Sequence, residues 1–252
     1  VFHHDGQNFS KAYDIKFQDV NGKESYVWQN TWAISTRMIG VMFAIHSDDK
    51  GLVLPPKLAA TQVVIVPILF EDSKAEVLKK AREIQKNLEK KGISVYLDDR
   101  DNYNPGWKFN EWEMKGIPVR IELGPRDLEK HQVMVARRDT SEKQALEITA
   151  IADEVRILLD DIQKSLFDKA QKILDKSILK VDNLKDAKAA FKDKRIVIAP
   201  WCSAVECEDI FKEKTGAKSL NSPLEQPKLK KGQTCSFCKE EAKLWMHFGK
   251  SY

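Results

Sequence analysis

No apolar run in the 252-residue sequence approaches the roughly 18 residues of a membrane-spanning helix, so no membrane contact is expected. The opening residues, VFHHDGQNF, are too polar for a secretory signal, and a cytoplasmic location is the expectation. Internal repeats and long low-complexity tracts are absent. Charge of one sign is scarcely in excess: 42 Lys and Arg stand against 38 Asp and Glu, a formal net charge of +4. That balance permits contact with a polyanion without arguing for it. Cysteine is scarce. There are only four, all from Cys202 onward, which points to one local site rather than a fold stapled along its length. What remains, 42% apolar and 32% charged residues, is the composition of an ordinary soluble globular chain. Its length suits one or two average domains, or three small ones.

The most informative stretch is DDRDNYNPGWKFNEWEMKGIPVRIELGPRD, from Asp98 to Asp127. Asn104 can cap a helix, Pro105 suits its first position and Gly116 can end it, so a helix is predicted over about Pro105–Lys115. Pro118 starts an extended run in which Val119, Ile121 and Leu123 alternate with Arg120 and Glu122. Gly124-Pro125 stops it. Helical spacing puts Phe109, Trp112 and Glu113 on one side. Strand alternation puts Arg120 opposite the apolar face, and Asp127 lies just past the strand end. A ring, two carboxylates and a guanidinium can thus gather at one edge of a small sheet. That set suits an unpaired base, which stacks on a ring and is read along its Watson–Crick edge. Guanine offers two adjacent N–H donors to a carboxylate and its O6 to a cation. The same residues also fit a helix–strand corner whose charges are simply solvated.

Upstream, Ala12–Phe17 and Glu24–Trp28 read as strands joined at Asn21-Gly22, and Gln29–Ile34 as a third extended segment. A helix over about Thr36–Ser47 follows, with Ser35 as cap. Arg37 is out of place in its first turn, where a cation opposes the macrodipole. An anionic ligand would resolve that, and so would pairing with Asp48 or Asp49. His46 suits the other end of the same helix.

Val63–Pro67 has the continuous apolar character of a buried parallel strand. Ser73–Lys91 is predicted as an amphipathic helix with Ala75, Leu78, Ala81, Ile84 and Leu88 on one face. Ser94–Leu97 and Gln132–Arg137 read as strands and Ser141–Phe167 as mostly helix. This alternation predicts a mixed, mostly parallel sheet. No Gly-rich loop follows the first strand, which argues against a nucleotide-binding βαβ unit. Arg137, Arg138 and Lys143 form a basic cluster suited to backbone phosphates, or to a solvated turn.

Beyond it, helix is expected to about Lys180 and again over Leu184–Phe191, with strands at Ile196–Ala199 and Lys243–Phe248. Ser219–Gly232 is Lys/Pro-rich and loop-like. Cys202-x4-Cys207 and Cys235-x2-Cys238 can converge as four thiolates on zinc. Free buried thiols and disulfides are the competing readings, and His247 is a possible substitute ligand.

Several of these stretches resemble the prolyl-tRNA synthetases of the archaeal and eukaryotic type, which are class II aminoacyl-tRNA synthetases. PGWKFNEWEMKGIPVRIELGPRD carries the resemblance most specifically; HHDGQNFSKAYDIKF, QNTWAISTRMIG, HSDDKGLVLPPKLA and MHFGKSY extend it over nearly the whole chain. The resemblance implies three parts. Residues 1–60 would be the end of the class II catalytic antiparallel sheet, with STRMIG as motif 3. Residues 61–167 would form a mixed α/β anticodon-binding domain, and residues 168–252 a small α+β zinc-binding domain.

The implied activity is that of a proline–tRNA ligase, forming prolyl-adenylate from proline and ATP (with Mg2+) and transferring proline to tRNA(Pro). By that resemblance Arg37 is the catalytic, ATP-binding arginine, with Thr36, Gln29 and Thr31 beside it. His4 and Trp32 line the proline pocket. Phe109, Glu113, Arg120, Asp127 and Lys143 read the anticodon, which for proline always carries two guanines. Cys202, Cys207, Cys235 and Cys238 hold structural zinc, Tyr252 reaches toward the catalytic site, and the full-length protein is a homodimer. Asp5 and Ser47 depart from the family, which has a small or aliphatic residue and Gly there. Motifs 1 and 2 do not occur, so the sequence reads as part of a longer protein. The alternative is a non-catalytic tRNA- or RNA-binding module derived from a synthetase.

Overall fold

Turn chemistry decides where the first elements start and stop. The computed structural model describes residues 2–250, so Tyr252 lies outside the described residues. Strand β1 (Phe2–Gly6) leads into α1 (Asn8–Ala12), β2 (Lys16–Gln18), β3 (Glu24–Tyr26), β4 (Gln29–Trp32) and α2 (Arg37–His46). The strand expected from Ala12 begins only at Lys16. Ala12 ends a helical turn, and the amides of Tyr13 and Ile15 return to the carbonyls of Phe9 and Ser10. The Asn21-Gly22 hairpin forms as expected: Asp19 Oδ1 accepts the amides of Asn21 and Lys23 at 2.9 Å each. The strands make two separate antiparallel ribbons, β1–β4 and β2–β3. Ser35 is not the cap of α2. Thr36 takes that place without a side-chain bond.

The next elements are β5 (Val63–Pro67), α3 (Lys74–Lys90), β6 (Val95–Leu97), α4 (Pro105–Met114), β7 (Val119–Leu123), α5 (Pro125–Glu129), β8 (Gln132–Arg137) and β9 (Lys143–Glu147). They build one five-stranded sheet in the order β6-β5-β7-β8-β9. Its β5–β6 and β5–β7 pairings are parallel, while β7–β8 and β8–β9 are antiparallel. The sheet is therefore mixed, but not mostly parallel as expected. The difference is β9, which occupies the start of the helix expected from Ser141. Ser141 takes a left-handed backbone (φ 61°) and lets the chain fold back, so KQALE pairs with β8 in spite of its helix-forming residues.

On α3 the buried face is Val77, Ala81, Ile84 and Leu88. Ala75 is exposed and Leu78 half-buried, so the face is rotated from the expected one.

The rest comprises α6 (Ile151–Ser177), β10 (Ile178–Lys180), α7 (Leu184–Lys192), β11 (Ile196–Trp201), α8 (Val205–Thr215), β12 (Lys218–Ser219) and β13 (Leu244–Gly249). A second sheet runs β10-β11-β13-β12. The chain divides into two compact units, Val1–Gln163 and Lys164–Tyr252. Phe191, Val197, Trp201, Phe211 and Phe248 centre the core of the second. The segment expected as a loop is one, but it is anchored: the Gln226 side chain bonds both the N–H (2.8 Å) and the C=O (3.2 Å) of Trp245.

A buried polar knot fixes α4 to the end of β6. Asp98, fully buried, accepts from Arg100 Nε (2.8 Å) and Nη2 (2.7 Å) and from Trp112 Nε1 (2.8 Å). The Lys108 ammonium, also buried, lies 3.7 Å from that carboxylate and donates to the carbonyls of Asp98 and Arg100. Burial pushes the Asp98 carboxyl up, but hydrogen bonds from Arg100 and Trp112 and the Lys108 charge outweigh it and hold it at about 2 instead of 3.8. A carboxyl held below its free value stabilises the fold above that free value, and the contribution fades as pH falls toward the lowered one. Stability of the chain in urea should thus fall between about pH 5 and pH 2, and Asp98→Asn should lose less over that window by roughly 1–3 kcal/mol. Parallel pH profiles for the two proteins would contradict this.

Candidate nucleic-acid interface

Strand alternation puts Arg120 and Glu122 on one face of β7. The ladder register then aligns Arg120 with Ala136 and Ala136 with Lys143 across β8 to β9. Because the middle position is only a methyl group, Lys143 can reach across it. Its Nζ donates to both oxygens of Glu122, at 2.8 and 3.1 Å, and Arg120 donates to Glu122 Oε1 through Nε (3.1 Å) and Nη2 (2.9 Å). Both cations lie over the Phe109 ring, at 4.5 Å for the guanidinium and 5.5 Å for the ammonium. Phe109 itself comes from α4 and packs on the buried residues Val64, Val66 and Ile117. Phe109, Arg120 and Lys143 are thus brought together, with Glu122 between the two cations.

Glu113, one helical turn beyond Phe109 on α4, lines the adjoining cleft. A cleft of about 200 Å³ is lined by Glu113, Arg120, Ala136, Lys143, Arg138 and Lys50 among others. The Glu113 carboxylate is half-buried and, among the described residues, pairs with Lys50 alone, at 3.1 Å. Its backbone is held from below: Arg138 Nε donates to the Glu113 carbonyl at 2.8 Å, while the two Nη groups grip Asp48 at 2.7 and 2.6 Å. That bidentate pair holds the Asp48 carboxyl down at about 2. Gly51 and Gly116 permit the approach. Both have positive φ, and a Cβ would stand 2.5 Å from Met114 O on the first and 2.6 Å from the Leu52 backbone on the second.

Asp127 does not join this cleft. It sits past the other end of β7, where its carboxylate accepts the Gly124 amide at 2.9 Å and caps α5. Nor are Arg137 and Arg138 free for phosphates. Arg137 is committed to Asp139 and Asp161, as Arg138 is to Asp48. The lining of the cleft thus combines cationic donors, which rest on the Phe109 ring behind them, with a carboxylate acceptor. Such a set of donors and acceptors can bind the polar edges of a planar ligand.

The four cysteines converge in the second unit. Cys202 follows β11, Cys207 lies in the first turn of α8, and Cys235 and Cys238 share a turn before β13. All four Sγ atoms lie within 4.8 Å of one another, with Cys207–Cys235 at 3.8 Å and Cys202–Cys238 at 3.5 Å. Tetrahedral bonds of about 2.3 Å place sulfurs roughly 3.8 Å apart, so the cluster has the size that a zinc ion needs. None of the four is in a disulfide. Burial raises the Cys207 thiol, whereas at Cys235 backbone amides, Cys238's foremost, outweigh burial and lower it. His247 is not part of the cluster; its Nδ1 faces the Asn221 carbonyl at 3.2 Å.

A family profile described as an anticodon binding domain matches residues 62–158, and one described as prolyl-tRNA synthetase, C-terminal, matches residues 184–252. Over 99% of its length the chain is 45% identical to a proline–tRNA ligase 2 of Bacillus thuringiensis, and over all of it 45% identical to the proline–tRNA ligase of Thermococcus kodakarensis. A cytoplasmic proline–tRNA ligase of Arabidopsis thaliana is 41% identical over 98% of the chain. The chain belongs to the prolyl-tRNA synthetase family. It spans about half the length of these curated relatives, covering 52%, 53% and 48% of them.

The synthetase-like N-terminal segment places its expected site residues on the β1–β4 ribbon and at the start of α2. Cross-strand pairs His3–Thr31 and His4–Asn30 hold the ribbon in register. His4 lies beside the Trp28 ring, with centroids 5.9 Å apart, and Trp32 Nε1 donates to Asn30 at 3.2 Å. The Thr31 hydroxyl donates to Asp5 at 2.7 Å, so the residue that departs from the family pattern engages a residue expected at the ATP site. Gln29 Oε1 is buried and has no hydrogen-bond partner among the described residues. Thr36 and Arg37 are exposed, and among the described residues Arg37 makes no ion pair. Asp48, one suggested partner, is taken by Arg138.

Sequence reasoning missed Glu122 as a partner of both cations, and Arg138–Asp48 as the brace of the Glu113 wall. Strand alternation could have found the first, since it already put Glu122 beside Arg120. Nothing local pairs two residues 90 positions apart. Arg138 is buried while Asp48 is partly open to solvent, so Arg138→Met should lower the unfolding free energy in urea by about 1–3 kcal/mol. A loss under about 0.5 kcal/mol would class the pair with exposed ones.

Proposed function

We propose that this chain is the part of a proline–tRNA ligase that reads the anticodon and carries motif 3 and a structural zinc domain. The division is residues 1–60, 61–167 and 168–252, as the resemblance implies. The enzyme joins proline and ATP, taken with Mg2+, into prolyl-adenylate and passes proline to tRNA(Pro), acting in the cytoplasm as a homodimer. The observation that carries this reading is the cleft lined by Arg120 and Lys143, both over the Phe109 ring, together with the Glu113 carboxylate. It lies within the residues matched by the anticodon-binding profile. Guanine has an acceptor edge for the cations and N–H donors for the carboxylate. In this reading Asp127, at the far end of β7, meets a neighbouring nucleotide rather than the same one.

Glu113→Ala should cost roughly 1–3 kcal/mol of discrimination between stem–loop RNAs with and without two adjacent loop guanines. Equal weakening toward both RNAs would sink base reading by that carboxylate.

The alternative of a non-catalytic RNA-binding module is not favoured, because the similarity to the ligases runs through the N-terminal segment as well. Arg37 would bind ATP at its adenine and terminal phosphate, with Thr36, Gln29 and Thr31 at the same site, while His4 and Trp32 would shape the proline pocket. In the full-length protein, Arg37→Ala should suppress ATP–pyrophosphate exchange by several kcal/mol of barrier (~3 kcal/mol) while leaving tRNA affinity intact. Unchanged exchange would remove Arg37 from that role.

The four cysteines would hold zinc, whose chemistry there is structural: a closed four-thiolate shell leaves no open position. Metal analysis should find about one zinc per chain, lost in Cys235→Ser together with the melting transition of the second unit. Four thiols reactive in the native, metal-free chain would refute the site.

A further inference from the structure

We propose that Glu122 is a positioning residue for base identity in this cleft, holding Arg120 and Lys143 so that they meet only an acceptor edge. The inference rests on the reading of the cleft as a guanine site. Glu122 is buried, and its carboxylate is used up by its neighbours. Oε1 accepts from Arg120 Nε, Arg120 Nη2 and Lys143 Nζ, and Oε2 accepts from Lys143 as well. It therefore has little capacity left for a ligand, unlike Glu113, whose one partner among the described residues is the exposed Lys50.

What Glu122 does instead is fix the two cations. Each is long and, without a partner, would spread over many rotamers. Tied to one carboxylate, with Arg120 Nη1 also donating to the Phe109 carbonyl at 3.4 Å, both stay over the Phe109 ring, and the donors left over on the guanidinium and ammonium are offered as a fixed pair. A guanine O6 and N7 can accept from such a pair, whereas the adenine amino group would meet it donor to donor. The two walls thus divide the reading. The cation wall tests the six-position of a purine, and the Glu113 wall tests the two-position, where guanine carries an amino group and inosine does not. Glu122 also cancels one of the two positive charges, which keeps the wall from binding any RNA through phosphate attraction alone.

The test uses the 252-residue chain and three short stem–loop RNAs, identical except for two adjacent loop positions that are guanine, adenine or inosine. In Glu122→Gln, which keeps the shape and removes the charge, the guanine-over-adenine affinity ratio should fall about 10-fold. The guanine-over-inosine ratio should hold. Binding of all three RNAs should become more salt-dependent, by about one unit of slope. Glu122→Asp, charged but shorter, should show an intermediate ratio with the original salt slope, and it supplies the test if the Gln variant does not fold. A residue that merely stabilised the fold would lower all three affinities together and leave both ratios and the slope alone. That pattern, or an unchanged guanine-over-adenine ratio, overturns the proposal. If the unmodified chain itself prefers no base, the guanine reading of the cleft fails, and this inference falls with it.

Discussion

One guanidinium brings together the wall that carries Glu113. Arg138 uses its planar donor set on two chain segments at once, gripping the Asp48 carboxylate with both Nη groups and the Glu113 carbonyl with Nε. The segment carrying Asp48 can approach only because Gly51 and Gly116 have no side chains at the contact. Leu52 and Leu54 then donate their amides to the carbonyls of Met114 and Gly116, so the last turn of α4 is capped by a distant stretch of chain. Lys50 arrives beside Glu113 as a consequence. A lysine at 138 could supply the charge but not the fork, and the wall would lose its register.

This placement bears on how a chain with a formal charge of only +4 could carry the proposed nucleic-acid site. Bulk charge gives attraction without selectivity. Here nearly every cation around the cleft is spent on a carboxylate: Arg120 and Lys143 on Glu122, Arg137 on Asp139 and Asp161, Arg138 on Asp48. The arginines are rigid donors rather than free charges. In the proposed reading, selectivity would come from where donors and acceptors stand, each contact being realised only by a ligand whose edges match.

The parts legible in the sequence were those whose cause is local. Asn104, Pro105 and Gly116 marked α4 because capping, a preset φ and a left-handed stop act within a turn, and the Asn104 side chain does accept the Trp107 amide at 2.8 Å. Val63–Pro67 was legible because a strand buried on both faces leaves no polar position. The cysteines declared themselves by spacing. What escaped was decided by partners far away. β9 is a strand because β8 offers it an edge, against its own helix propensity. The buried face of α3 follows from which of two overlapping apolar stripes the sheet meets, and Val77 won over Ala75. Glu122 looked like one solvent-side residue of an alternating strand until Lys143 reached it from two strands away.

The cysteine cluster follows the same logic at higher cost. Ser203 and Lys239, each next to a cysteine, adopt left-handed backbones with φ of 64° and 73°. Neither is glycine, so each conformation costs roughly 1 kcal/mol. The end of β11, the first turn of α8 and the turn at Cys235–Cys238 have no long apolar run of their own. Beneath them the aromatic rings of Phe211, Phe237 and Phe248 pack at 4.3–5.1 Å between centroids. That packing fills the floor but does not close the turns above it. Four thiolates drawn to one metal ion would close them, offsetting the strain at Ser203 and Lys239 with bond energy instead of buried area. The strained positions adjoin two of the four sulfurs, Cys202 and Cys238, where the chain turns sharply enough to bring them to Cys207 and Cys235.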